Sequence, residues 1–100
     1  MYLRAVAVFA ATITPFSGTG QSYSNPVREA TRQKVNTWIK TSGTFDAVVD
    51  FDQILRDPST PSQLASKYNG GDYLHPNVAG YQALADAFPL DIFTKFGGAA

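Results

Sequence analysis

The chain has 100 residues, enough for one domain, and eight Lys+Arg balance eight Asp+Glu to a formal net charge of zero. The charges are scattered, so no basic stripe exists to neutralise phosphates and nucleic acid is excluded as the main partner. At 44% apolar and 16% charged the chain is too hydrophobic for disorder; it has no cysteine for a disulfide, zinc ribbon or thiol nucleophile, and its single histidine is His75.

Residues 5–13 form a continuous apolar run ended by Pro15, the pattern of a buried parallel strand. Arg4, the apolar run and the small residues also have the outline of a secretory leader, but no clean small-x-small cleavage site follows Ile13. No apolar run reaches the length of about 18 residues that a membrane span needs. Gly18 to Ser22 is a loop, lacking the Lys of a phosphate loop. Asn25-Pro26, with Glu29 in the first turn, predicts a helix over 26–41, stopped by Gly43. Its inner face is expected to hold Val27, Ala30, Val35, Trp38 and Ile39.

Residues 45–51 read as a second strand, and the order strand, helix, strand makes the two strands parallel neighbours. Asp57 to Gly71 reads as a long surface loop with two prolines. A last helix over 76–88 is predicted to open at Pro76, to turn Val78, Tyr81, Leu84, Ala85 and Phe88 inward, and to close at Pro89. Trp38, Tyr81 and Phe88 are expected in the core. Leu90 to Phe93 reads as a short helical turn and residues 97–100 as a frayed tail.

The chemistry concentrates in Gly70-Gly71-Asp72-Tyr73-Leu74-His75-Pro76-Asn77. With Pro76 as the first helical residue, His75 becomes the N-cap, where the positive helix end disfavours an imidazolium. Asp72, three residues back, is placed to accept from Nδ1–H and leave Nε2 free to take a proton from a hydroxyl. That is the base and orienting acid of a Ser-His-Asp triad. The plainer reading is a capping histidine and a turn aspartate. Asp50, Asp52, Asp57 and Asp72 offer a carboxylate metal set as an alternative, and strand termination with loop hydrogen bonds as the simpler role.

Asp72-x-x-His75-Pro76-Asn77-x-x-Gly80-Tyr81 resembles the C-terminal signature of the SGNH (GDSL-type) hydrolases. Ala11-Thr12-Ile13-Thr14-Pro15-Phe16 resembles that family's late strand and "TPF" loop, and residues 32–39 and 45–52 its next helix and strand. The resemblance favours the strand reading of the first segment. It implies a partial three-layer α/β/α, flavodoxin-like sandwich, with residues 1–100 as the C-terminal part of one esterase domain. It implies His75 and Asp72 as catalytic residues, no cofactor and no metal, an ester substrate (lipid or acetylated carbohydrate), and secretion.

The family's Gly-Asp-Ser nucleophile motif and its two other oxyanion-hole motifs are not found in these 100 residues. Gly71-Asp72-Tyr73-Leu74 mimics the nucleophile string with Tyr73 in the serine position, and a tyrosine hydroxyl, with a reference pKa of about 10, is a poor nucleophile here. Ser17, Ser22, Ser24, Ser42, Ser59, Ser62 and Ser66 lack strand-end context. The expectation is a chain inactive alone, prone to self-association or to pairing with an N-terminal half through an exposed strand edge. The alternative is a non-catalytic interaction or complementation module.

Overall fold

A computed structural model describes residues 6–96 of the chain. The elements run β1 (Phe9–Ala11), α1 (Pro26–Thr41), β2 (Ala47–Val49), α2 (Phe51–Leu55), a 3-10 turn (Ser66–Tyr68), α3 (Val78–Ala87) and α4 (Asp91–Phe96). The two strands pair in parallel, Phe9 opposite Ala47 and Ala11 opposite Val49, with α1 as the crossover. The chain is thus an α/β protein, with the first segment paired as a strand. Residue 5 of the anticipated strand, most of the charged start of the leader reading and the anticipated tail at 97–100 lie outside the described residues.

Helix α1 has the anticipated bounds because its ends are well signalled. Asn25 caps it by accepting from the Arg28 N–H at 2.8 Å, Pro26 opens it, and Gly43 follows at φ +72. Its inner face keeps Ile39 of the apolar stripe predicted, with Val35 half-buried, and otherwise differs. Arg32, Asn36 and Ile39 are buried, whereas Val27 and Trp38 are exposed, Trp38 standing edge-on to Phe45. The polar side chains win the inner face because they satisfy backbone groups. Asn36 Oδ1 accepts from the Ile13 N–H at 2.7 Å and Nδ2 donates to the Ile13 carbonyl at 2.9 Å, replacing a strand partner for that residue.

Arg32 spreads its donors over Glu29, Asp52 and the carbonyls of Ile13 and Pro61. Arg56 meets the other Asp52 oxygen at 3.0 Å. Among the described residues no buried side-chain polar atom lacks a hydrogen bond. Burial lowers the Arg32 pKa, but Glu29 and Asp52 outweigh it and leave the guanidinium held above its ordinary value.

Both strands are shorter than predicted. β2 stops at Val49 because Asp50 becomes the N-cap of α2, accepting from the Gln53 N–H at 3.2 Å and from the Thr12 hydroxyl at 2.8 Å. Burial pushes the Asp50 carboxyl up, and Thr12, the Gln53 amide, Lys40 and Arg56 more than offset this to hold it below its usual value. The segment 57–71 is not wholly a surface loop. Leu64 and Ala65 are buried beside Leu55, and the Ala65 N–H donates to the Leu55 carbonyl at 2.8 Å. The turn near residue 90 is longer than predicted: α4 runs to Phe96 and lays Phe93 and Phe96 edge-on against Phe9.

Candidate active site

The last long helix corrects the cap assignment. α3 begins at Val78, and Asn77, not His75, is its N-cap, accepting from the Gly80 N–H at 2.8 Å. Pro76 is not the first helical residue; it forms an antiparallel bridge with Asn69. Both Asn at a cap and Pro at the first helical position are common helix openings, and the bridge decides between them. His75 therefore lies in the loop before α3, and the effect of a helix end on its ring does not apply as anticipated. Val78 and Tyr81 are exposed, against their anticipated inward placing. Gly80 is buried, and a Cβ there would meet the Pro76 ring and the Tyr68 carbonyl.

The loop is a self-contained hydrogen-bonded unit. Asn69 Oδ1 accepts from the N–H groups of Gly71 (3.0 Å) and Tyr73 (2.9 Å). Asp72 Oδ1 accepts from those of Leu74 (3.0 Å) and His75 (2.9 Å), the side-chain-to-backbone pattern that suits Asn and Asp to turns. The Gly70 N–H donates to the His75 carbonyl at 2.8 Å, and a Cβ on Gly70 would approach that oxygen to 2.6 Å. Tyr73 takes the left-handed conformation at φ +54, a strained choice for a bulky residue. Its ring lies where a side chain on Gly18 would otherwise sit, so the 16–24 loop is packed against the loop that carries Asp72.

This folding brings the two anticipated site residues together. Asp72 Oδ2 lies 2.6 Å from His75 Nδ1. The His75 backbone N–H, its ring, and then the Leu74 N–H hold the Asp72 carboxyl well below the usual carboxylate range. An ionised carboxylate has no proton to give, so the hydrogen of this contact belongs to Nδ1. In the neutral ring the lone pair is then on Nε2. The ring is 69% exposed, and among the described residues Nε2 makes no hydrogen bond, to a serine hydroxyl or to anything else. The arrangement is able to accept a proton from a hydroxyl brought to Nε2 and to hold the resulting imidazolium against a carboxylate.

The alternative metal set is not assembled. Asp50 caps α2, Asp52 is taken up by Arg32 and Arg56, Asp57 accepts from the Ser59 and Thr60 N–H groups, and Asp72 faces His75. Among the described residues no group of three His, Asp or Glu side chains is placed to hold a metal ion. Nor is any described helix long and apolar enough to cross a membrane. Tyr73 is used by the fold, through its backbone bond to Asn69 and its packing on Gly18.

The site residues that sequence reasoning missed are Asn69, Asn77 and Gly18. Asn77 carried a usable signal, since an Asn three residues ahead of Gly80 fits a cap as well as the Pro does.

An α/β chain with a parallel strand pair, and an Asp-x-x-His pair in the loop ahead of its last long helix, has the outline of a hydrolase domain. The GDSL-like lipase/acylhydrolase family model matches residues 2–83, which include Asp72, His75, Asn77 and Gly80, and the chain belongs to that family. Comparison with curated proteins gives no match. The family comprises enzymes acting on ester substrates.

Proposed function

We propose that this chain carries the acid–base half of a Ser-His-Asp esterase site, with His75 as general base and acid and Asp72 as its orienting partner. The observation that carries this reading is the 2.6 Å contact from Asp72 Oδ2 to His75 Nδ1 in a side chain that is 69% exposed, with no hydrogen bond at Nε2 among the described residues. The serine hydroxyl comes from a Gly-Asp-Ser-bearing stretch outside these 100 residues. With that serine at Nε2, His75 takes the hydroxyl proton as the oxygen attacks the ester carbonyl and gives it to the departing alcohol. It then draws a proton from the water that attacks the acyl carbonyl and gives it to the serine oxygen as that oxygen leaves. Asp72 keeps the ring in the Nδ1–H tautomer and steadies the imidazolium in each step.

The serine-bearing stretch would add to the open side of the strand pair. β1 and β2 form a sheet of two strands, and Val6 and Val8 beside β1 are exposed, as is Ile13 beyond it. A parallel sheet is stable when covered on both faces and continued by neighbours. The same open sheet supports the second reading, a complementation module, and the two differ in whether His75 is needed once the partner is bound.

The test is hydrolysis of p-nitrophenyl acetate by the chain alone and by the chain mixed with the Gly-Asp-Ser-bearing N-terminal half of a family member. Turnover is expected only in the mixture, and His75→Ala is expected to lower it by about 10³-fold or more. Turnover in the mixture that His75→Ala leaves unchanged would favour the complementation module and end the catalytic assignment.

A further inference from the structure

The His75 ring is largely solvated, so apart from Asp72 its orientation depends on the backbone that carries it. That backbone is held at one residue more than any other. Asn77 Nδ2 donates to the carbonyls of Lys67 (3.0 Å) and Asn69 (3.3 Å), and its backbone N–H donates to the Tyr68 carbonyl at 2.8 Å. Its Oδ1 at the same time caps α3 at Gly80. One carboxamide thus joins the start of α3 to the 67–69 segment. Asn69 in turn fixes Gly71 and Tyr73 on the far side of Asp72. Between Asn77 and His75 stands only Pro76, whose ring fixes φ and transmits the placement of residue 77 with little slack.

We propose that Asn77 is a positioning residue for the Asp72–His75 pair: its carboxamide closes the 69–77 loop and thereby holds the imidazole in register with the Asp72 carboxylate. The inference rests on the acid–base reading above only for its consequence in catalysis. The geometric effect is measurable without turnover.

His75 is the single histidine, so the ring nitrogens of the ¹⁵N-labelled chain give one unambiguous pair of NMR signals. At alkaline pH their shifts report the ratio of Nδ1–H to Nε2–H tautomers. Asp72→Asn serves as the reference, since its amide removes the charged acceptor that favours Nδ1–H. Asn77→Asp keeps an oxygen for the Gly80 N–H but loses both donors to the Lys67 and Asn69 carbonyls. Asn77→Ser likewise caps a helix but has no donor long enough to span both carbonyls. Asn25→Ala, which removes the cap of α1 instead, controls for general loss of stability.

Asn77→Asp and Asn77→Ser are expected to keep the helical circular dichroism and to lower the Nδ1–H to Nε2–H ratio by about threefold or more, as the loss of a charge-assisted hydrogen bond permits. Asn25→Ala is expected to leave the ratio alone. An unchanged ratio in both Asn77 variants, with Asp72→Asn shifting it, would overturn the proposal. So would unfolding of both Asn77 variants where Asn25→Ala stays folded, because Asn77 would then hold the fold rather than the ring. The acid–base reading itself is judged by the reconstituted hydrolysis, so its failure is separable from a failure here.

Discussion

Two regions of the molecule are built on different terms. Around α2, the 3-10 turn and α3, Leu55 and Leu64 are almost fully buried, and the loop holding Asp72 and His75 satisfies its own backbone groups through Asn69, Asp72 and Asn77. Around the strand pair, Val6, Val8 and Trp38 are exposed, and among the described residues the sheet has two strands. The difference teaches that the site geometry is local, written in about ten consecutive residues, while the strand pair leaves apolar side chains exposed.

Substitutions sharpen that contrast. The largest effect is expected at Arg32, the buried cation linking α1 to α2 and to the Ile13 and Pro61 carbonyls. Arg32→Ala leaves the Asp52 and Glu29 carboxylates short of a partner and is expected to cost about 3–5 kcal/mol in chemical denaturation. Leu55→Ala is expected to cost about 2–5 kcal/mol, mostly through the cavity it leaves. Trp38→Ala, by contrast, removes one exposed edge contact with Phe45 and should cost about 1 kcal/mol or less. Should Trp38→Ala prove as damaging as Leu55→Ala, the division between a closed region and an open region fails.

Gly70→Ala is expected to act on the site more than on stability. The new Cβ meets the His75 carbonyl oxygen at 2.6 Å, and backbone must move to relieve it. About 1–3 kcal/mol is expected in the thermal transition, together with loss of the Nδ1–H tautomer preference of His75.

Acid provides the gentlest probe. Asp50, Asp72 and Glu29 all have folded pKa values below their ordinary ones. A carboxylate of depressed pKa contributes stability that is fully present above its unfolded pKa and lost as pH falls through the lower folded one. The thermal midpoint is therefore expected to show no acid-linked loss until pH reaches roughly 4, and to drop below it. The ¹³C signal of the Asp72 carboxyl should remain that of an ionised group after exposed carboxylates have titrated. A midpoint that instead falls steadily from neutrality to pH 5 would contradict the stated direction.

What the sequence made legible was local and strongly signalled. Asn25-Pro26 and Gly43 bounded α1 because cap chemistry acts within a few residues, and the contact between Asp72 and His75 was legible because only three positions in one loop separate them. What stayed hidden depended on tertiary competition. The apolar periodicity of α1 pointed to Val27 and Trp38, but the buried face went to Arg32 and Asn36, which satisfy the unpaired Ile13 peptide. No periodicity encodes that demand. The strand through residue 51 broke at Asp50 because a side-chain cap from Asp50 outcompeted further ladder pairing. Leu64 and Ala65 were hidden in a stretch whose Pro, Ser and Gly content reads as loop, although loop backbone is able to carry apolar anchors into a core. The start of α3 was placed two residues early, with His75 as its cap instead of Asn77, because the bridge between Asn69 and Pro76 kept Pro76 out of the helix.

The most direct measurement is a double-mutant cycle on kcat/KM for p-nitrophenyl acetate in the reconstituted pair, using Asp72→Asn, His75→Ala and both together. Groups that act as one unit have non-additive effects, so the double variant should be no slower than His75→Ala alone. Multiplication of the two losses would mean that Asp72 and His75 work independently, and the coupled imidazole and carboxylate would not be the working element of this chain.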